Sequence, residues 1–497
     1  MKKNIKFILI TLLLVAILCV SLVGCTNFKP LTGGNPNATT YNNNSLVVTQ
    51  GDYIYFVNGK ITLEDIAEKK DNKYGNVVKS AIYRAKKDGS DAQVVVPQVA
   101  MDSNNSNGIS VLGNYIYFTS PSTATGKDGS LLKNNTDFYR VEISGKNLKK
   151  LTTLEGNTNA YKFTDKGLIY LENSKLTYLP YNGKAKVITE SATGNYFPVT
   201  TTYTPNKADA TMAVYFTESP EENDGDPYNI LKCITPSGEV KTILDGKKNK
   251  ETYTLKNVQS EKDGTAAVYY EKAVYNKESV NKGLMGIKVN SNCAKTNDPE
   301  KQFAGAGATV RYIDYATGVY IFEDNKMFIP VIEDGIVSLD KFVESYKIYT
   351  SESGSLSSSD IFTIREEKVD DETKKFMYFF DSNGLNKVEM IKEENRMGVA
   401  VPVIEKDIVT DYVKPILDGN TFYYINSGYY NYIYKVDITL KEDENGEIVR
   451  NKHSIVGVRT NDDKKAYIKL VKDMDEDVRE AHDKLIKEDL PADSFKK

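Results

Sequence analysis

Short runs of apolar and aromatic residues recur along the chain at intervals of about fifty residues, a period typical of propeller blades, solenoid turns or arrays. They open with GDYIYFVNGK from Gly51 and GNYIYFTSPS from Gly113. They continue with KGLIYLENSK from Lys166, ATMAVYFTES from Ala210, GTAAVYYEKA from Gly264, TGVYIFEDNK from Thr317, KFMYFFDSNG from Lys375 and GNTFYYINSG from Gly419. Each run reads as a β-strand. In the first, Ile54 and Phe56 lie on one side and Tyr53, Tyr55 and Val57 on the other, so both faces are apolar or aromatic. A sheet with one solvated face would alternate apolar with polar residues. Strands covered on both faces fit sheets stacked side by side.

A second strand and a turn follow most of these runs, as in AIYRAKKDGSDAQVVV from Ala81 and NILKCITPSGEVKTIL from Asn229. Asp88-Gly89, Asn182-Gly183, Ser237-Gly238, Asp334-Gly335 and Asn445-Gly446 supply residues that accept positive φ, as tight hairpins require. Each repeat therefore reads strand, loop, strand, tight turn, strand. Two-sided burial and this repeat predict an all-β fold, a β-propeller over residues 46–460. Eight repeats favour eight blades, and six or seven are also compatible. For closure, SLVVTQ from Ser45 is expected to complete the last blade beside HSIVGVRT from His453.

The pattern changes at both ends. From Asn461, apolar residues such as Tyr467, Leu470, Val471, Met474 and Val478 recur every three or four positions, which predicts an amphipathic α-helix in the tail 461–497. DMDEDVREAHDK within it is no calcium loop, because Val478 stands where the sixth-position Gly is needed. Residues 1–24 combine Lys2, Lys3 and Lys6 with an unbroken apolar run, the layout of a secretory signal. Residues 25–45 are rich in Asn, Thr, Gly and Pro, which predicts a flexible tether.

Leu22-Val23-Gly24-Cys25 resembles the lipobox of bacterial lipoproteins. That resemblance implies cleavage before Cys25, lipidation of its thiol and residence on the outer face of the cell membrane. Two acyl chains suffice for stable attachment. Tyr117-Phe118-Thr119-Ser120, Tyr215-Phe216-Thr217-Glu218 and the looser Tyr55-Phe56-Val57-Asn58 are similar to the Tyr-Trp-Thr-Asp strand of lipoprotein-receptor-type β-propellers. The chain departs from that family in having no Trp and in its eight repeats, where the receptor domains have six blades. Bacterial lipoproteins with such propeller-like domains of unassigned function are the nearest family by this resemblance.

Composition narrows the chemistry. The precursor carries a net charge of −4, loss of Lys2, Lys3 and Lys6 makes it more negative, and no basic stripe points to nucleic acid. The Lys, Asn and Tyr content suggests an AT-rich genome and, with the lipobox, a Gram-positive source. Cys233 and Cys293 remain after processing and are either a disulfide, which an exocytoplasmic setting permits, or two semi-buried thiols. His453 and His482 are the only histidines, too few for zinc motifs, and no Gly-x-Ser-x-Gly elbow accompanies them. Ser-x-x-Lys occurs at Ser130, Ser279 and Ser494 without the partner motifs of serine acyl-transfer enzymes. Glu221, Glu222, Asp224 and Asp226 form an acidic loop that is either a solvated tip or a calcium site.

These features favour a membrane-anchored, non-catalytic binding or scaffold module for protein or glycan. The alternatives are a carbohydrate-active or lyase-type propeller enzyme, whose carboxylate pair no sequence spacing would reveal, and an accessory protein of a membrane complex.

Overall fold

Counted without the two-residue edge strand Thr40–Tyr41 that the first sheet carries in addition, all eight aromatic runs fold as the second strand of an antiparallel sheet: Tyr53–Asn58, Tyr115–Pro121, Gly167–Glu172, Met212–Glu218, Ala266–Asn276, Gly318–Glu323, Glu372–Asp381 and Thr421–Ile425. A computed structural model describes residues 30–456 apart from short internal stretches, the longest being 59–72, 97–107, 201–211 and 406–414, and within 307–360 it describes only the backbone of the strands. The signal segment 1–24, Cys25 and the tail 461–497 lie outside the described residues. Among the described residues eight sheets have four or five strands, each sheet built from neighbouring strands in an up-and-down order. The chain is thus all-β, with the local topology of propeller blades.

Each sheet also has a first strand that the aromatic pattern does not mark, among them Val47–Gln50, Tyr161–Phe163, Phe197–Thr200 and Glu251–Ser260. This corrects the expected closure. Val47 pairs with Phe56 inside the first sheet, and Val456 pairs with Ile433 inside the last, so among the described residues these two segments share no strand pairing. A hairpin through Gly51, at φ 58°, closes a very short loop. Pairing the chain ends would close a far longer one, at greater entropic cost.

Two-sided burial is realised: Ile54, Tyr55, Phe56 and Val57 are all 0% exposed. Neighbouring sheets press aromatic faces together, as where Tyr117 of the second sheet stacks on Tyr181 of the third with ring centroids 4.6 Å apart. The first and last sheets also meet. One apolar core contains Tyr55 and Ile82 of the first sheet, Ile116 of the second, Tyr378 of the seventh and Tyr424 of the eighth. Across the same seam Lys87 pairs with Asp418 at 2.8 Å, and the Lys435 ammonium donates to the Asp88 carbonyl at 2.9 Å.

The turn before the fourth strand recurs in one form. The N–H groups of Gly89, Gly145 and Gly238 donate to the carbonyl three residues earlier at 2.7, 2.8 and 2.8 Å, and Gly446 makes the same bond at 3.1 Å in the short hairpin of Lys441–Glu442 and Ile448–Val449 that is inserted before the fourth strand of the last sheet. Their φ values are 85°, 82°, 90° and 78°, in the left-handed region that glycine enters at little cost. In the fifth sheet the same position holds Cys293, at φ 60°, with its N–H donating to the Asn290 carbonyl at 2.9 Å. Here a side chain is needed, because Cys293 is disulfide-bonded to Cys233 on the strand Ile230–Ile234 of the fourth sheet. Of the two states left open by the sequence, the bonded one is present, and both cysteines are buried.

Residues 30–45, expected to belong to a flexible tether, are packed on the first two sheets. Leu31 is buried and its N–H donates to the Ser144 carbonyl at 3.1 Å. Arg84, 1% exposed, donates to the carbonyls of Thr32 at 2.7 Å and Gly33 at 3.2 Å, and its guanidinium lies 4.5 Å from the Tyr53 ring centroid. A low apolar content does not prevent docking when a buried cation collects the segment's carbonyls. Arg84→Met should lower stability by about 2 kcal/mol, the worth of its charge-assisted hydrogen bonds. It should also open residues 30–45 to protease. Denaturant unfolding and limited proteolysis read both effects, and an unchanged cleavage pattern would count against this docking role.

Candidate functional site

The sheets have two distinguishable ends. At one, the turn end, strand one turns into strand two and strand three into strand four. At the other, the loop end, lie the strand two to strand three loops and the connections to the next sheet. The docked segment 30–34 touches Tyr53, Arg84 and Ser144, all at the turn end.

A cavity of about 310 Å³ opens at the loop end between the third and fourth sheets. Tyr161 and Lys162, at the start of the strand Tyr161–Phe163, form one side. Leu171, near the end of the strand Gly167–Glu172, lies beside them, and the connection through Gly194, Asn195, Tyr196 and Phe197 completes the wall. Gly194 and Asn195 are exposed and form the mouth, whereas Tyr196 is buried. The volume falls at the small end of ligand sites, which run from about 300 to 1,000 Å³.

Lys162 is the unusual member. Its ammonium lies 4.6 Å from the Phe197 ring centroid and 5.7 Å from that of Tyr196. Among the described residues no carboxylate pairs with it, and burial lowers its pKa from 10.5 to about 8. Ring faces offset part of the desolvation, by roughly 0.5–2 kcal/mol. Tyr196 is fixed by donating its hydroxyl to the Ile169 carbonyl at 3.1 Å, and burial raises its pKa, so the phenol stays neutral. The arrangement offers a cation, apolar ring surfaces and an open amide mouth, with no counter-ion among the described residues.

Two other groups carry charge chemistry. A cavity of about 500 Å³ in the eighth sheet is lined by Lys435, Arg450 and Lys452. Two of its cations are engaged, Lys435 by the Asp88 carbonyl and Arg450 by the Pro402 carbonyl at 2.9 Å. Glu251 and Glu300 approach each other in the fifth sheet, but the Lys272 ammonium stands between them, 3.7 Å from Glu251 and 2.5 Å from Glu300. The phenols of Tyr253 and Tyr270 donate to the same two carboxylates. A glycosidic oxygen would have to occupy the place that Lys272 fills.

No family model matches this chain, and no curated protein does. Solved structures show loose likeness at low identity. A prolyl endopeptidase is 10% identical with a TM-score of 0.39, covering 82% of this chain, which spans only 56% of that enzyme's length. The apo form of AztD from Citrobacter koseri is 12% identical with a TM-score of 0.38, over 80% of this chain and 94% of that one. Dipeptidyl peptidase 4 of Porphyromonas gingivalis is 9% identical with a TM-score of 0.41, over 85% and 60%. Such scores carry no argument about what this chain does.

Of the residues singled out in the sequence, Cys25 and His482 lie outside the described residues, as do Glu222 and Asp224 of the acidic loop. Among the described residues no group of three or more His, Cys, Asp or Glu side chains is gathered as for a metal. His453 is 4% exposed, shares a 2.5 Å hydrogen bond between Nδ1 and the Tyr424 hydroxyl, and has its pKa lowered from 6.5 to about 3 by burial. It is therefore a neutral core side chain. Below pH 6.5 the unfolded chain takes up a proton that the folded chain refuses, so this group's stabilising share falls as pH drops toward 3. Relative to His453→Gln, the wild-type chain should lose about 2 kcal/mol between pH 7 and pH 5, measurable by denaturant unfolding at each pH. Parallel pH profiles for the two proteins would refute it.

Proposed function

We propose that this chain is a lipid-anchored, eight-bladed β-propeller on the outer face of a bacterial cell membrane, binding protein or glycan ligands at its loop end without catalysis. One observation carries this reading: the docked N-terminal segment and the Lys162 cavity lie at opposite ends of the sheets. Pro30 sits at the turn end, and five residues from Cys25 span at most about 18 Å. A lipid on Cys25 would hold the turn end close to the bilayer and leave the loop end facing outward. Eight successive sheets, with the first packed on the last, support the blade number. A disulfide between Cys233 and Cys293 suits an oxidising compartment. Lys272, standing between Glu251 and Glu300, argues against a glycosidase pair there.

Single cysteines placed at Asn195 and at Asp88, in a chain with Cys233 and Cys293 replaced by serine, test the orientation on intact cells. A bulky maleimide should label the Asn195 position at least about tenfold faster than the Asp88 position. Equal or reversed labelling would refute the orientation, and Cys25→Ala should release the protein from the membrane fraction.

A further inference from the structure

We propose that the cavity around Lys162 binds a carboxylate-bearing sugar unit, a hexuronate either free or within an acidic glycan. This rests on the reading of the loop end as the ligand-binding end and specifies the chemistry it recognises. An ammonium ion with no carboxylate partner among the described residues, held against the Tyr196 and Phe197 rings, is a cation that a bound anion would neutralise. Inside a poorly solvated cavity that attraction is stronger than at an exposed surface.

Size and walls narrow the class. About 310 Å³ admits one small ring and excludes a folded peptide segment. Tyr161, Leu171 and Phe197 offer apolar surface to the hydrogen-bearing face of a pyranose, and the Asn195 amide at the mouth can bond its hydroxyls. A phosphate-only ligand would leave the ring surfaces unused, and a neutral sugar would leave Lys162 unpaired. The cavity's position at the mouth, with Gly194 having nothing within 4 Å of where a Cβ would stand, leaves room for a chain to continue outward.

Titration calorimetry of the soluble chain from residue 26, at pH 7, with free glucuronate, a hexuronate trisaccharide, glucose and benzoate tests this. Both uronates should bind, and glucose should bind about ten- to a hundredfold more weakly, as expected for loss of one charge-assisted contact. Lys162→Met should weaken the uronates by the same factor while remaining folded by circular dichroism. A trisaccharide that binds more tightly than glucuronate assigns a glycan source, and equal affinity assigns the free acid. Binding should also weaken above pH 8, because a bound anion favours the protonated amine and deprotonation removes it. No uronate binding by the wild type, equal binding by Lys162→Met, or binding of benzoate in preference to uronate would each overturn the assignment. If uronates fail while the Asn195 labelling bias persists, the ligand class falls and the orientation of the propeller stands. If uronates bind and the bias is absent, the site stands and the orientation falls.

Discussion

Cys293→Ser should cost about 4 kcal/mol of stability, because the lost bond closes a loop of 60 residues between the fourth and fifth sheets. Guanidinium unfolding with and without reductant gives the measure: reductant should destabilise the wild type by that amount and leave the variant unchanged. A wild type indifferent to reductant would mean the bond contributes nothing. The same position offers a second comparison. Serine retains the strained left-handed backbone at φ 60°, whereas Cys293→Gly restores the residue that the equivalent turns carry. The glycine variant should therefore be more stable than the serine variant by about 1 kcal/mol. Cysteine at this position accepts local strain in return for a covalent link between the fourth and fifth sheets.

Lys162→Met should do the opposite and raise stability, by about 2–3 kcal/mol at pH 7. The folded chain holds this amine at a pKa of about 8, against 10.5 for an unperturbed lysine, so folding opposes the charged form. That penalty is complete below about pH 8 and fades as pH rises toward 10.5. The stability gap between variant and wild type should thus be widest at neutral pH and close above pH 10. Thermal or denaturant unfolding across pH 7 to 10.5 checks it, and a variant less stable than wild type would show that Lys162 contributes packing instead. A residue that weakens the fold while lining an open cavity is the usual mark of a site kept for binding.

Much of the scaffold is legible in the amino-acid sequence. The eight aromatic runs mark the second strands, since Ile54 to Val57 can be buried on consecutive positions only if both faces of the sheet are covered. Gly89, Gly238 and Gly446 mark real turns through their tolerance of positive φ. The first strands are hidden because they lack an aromatic run: Glu251–Ser260 mixes polar with apolar positions throughout, and the three-residue YKF at Tyr161–Phe163 carries a lysine at its centre where a buried strand would be apolar. That lysine is itself the signal for the site. Likewise Asn292-Cys293 occupies the place of the Ser-Gly and Asp-Gly pairs elsewhere, so aligning the turns singles out Cys293 as a residue with a reason to be there.

The repeat, the all-β class and the positions of the turns follow from the linear pattern, because period and backbone tolerance are local properties carried by neighbouring residues. Folding in three dimensions settles which strands close each sheet, that Cys233 meets Cys293, that Arg84 holds the Thr32 and Gly33 carbonyls of the docked segment, and that Lys162 stands among aromatic rings with no carboxylate partner among the described residues. Each of those depends on which residues remote in the chain come together in space, and a linear pattern carries no term for that distance.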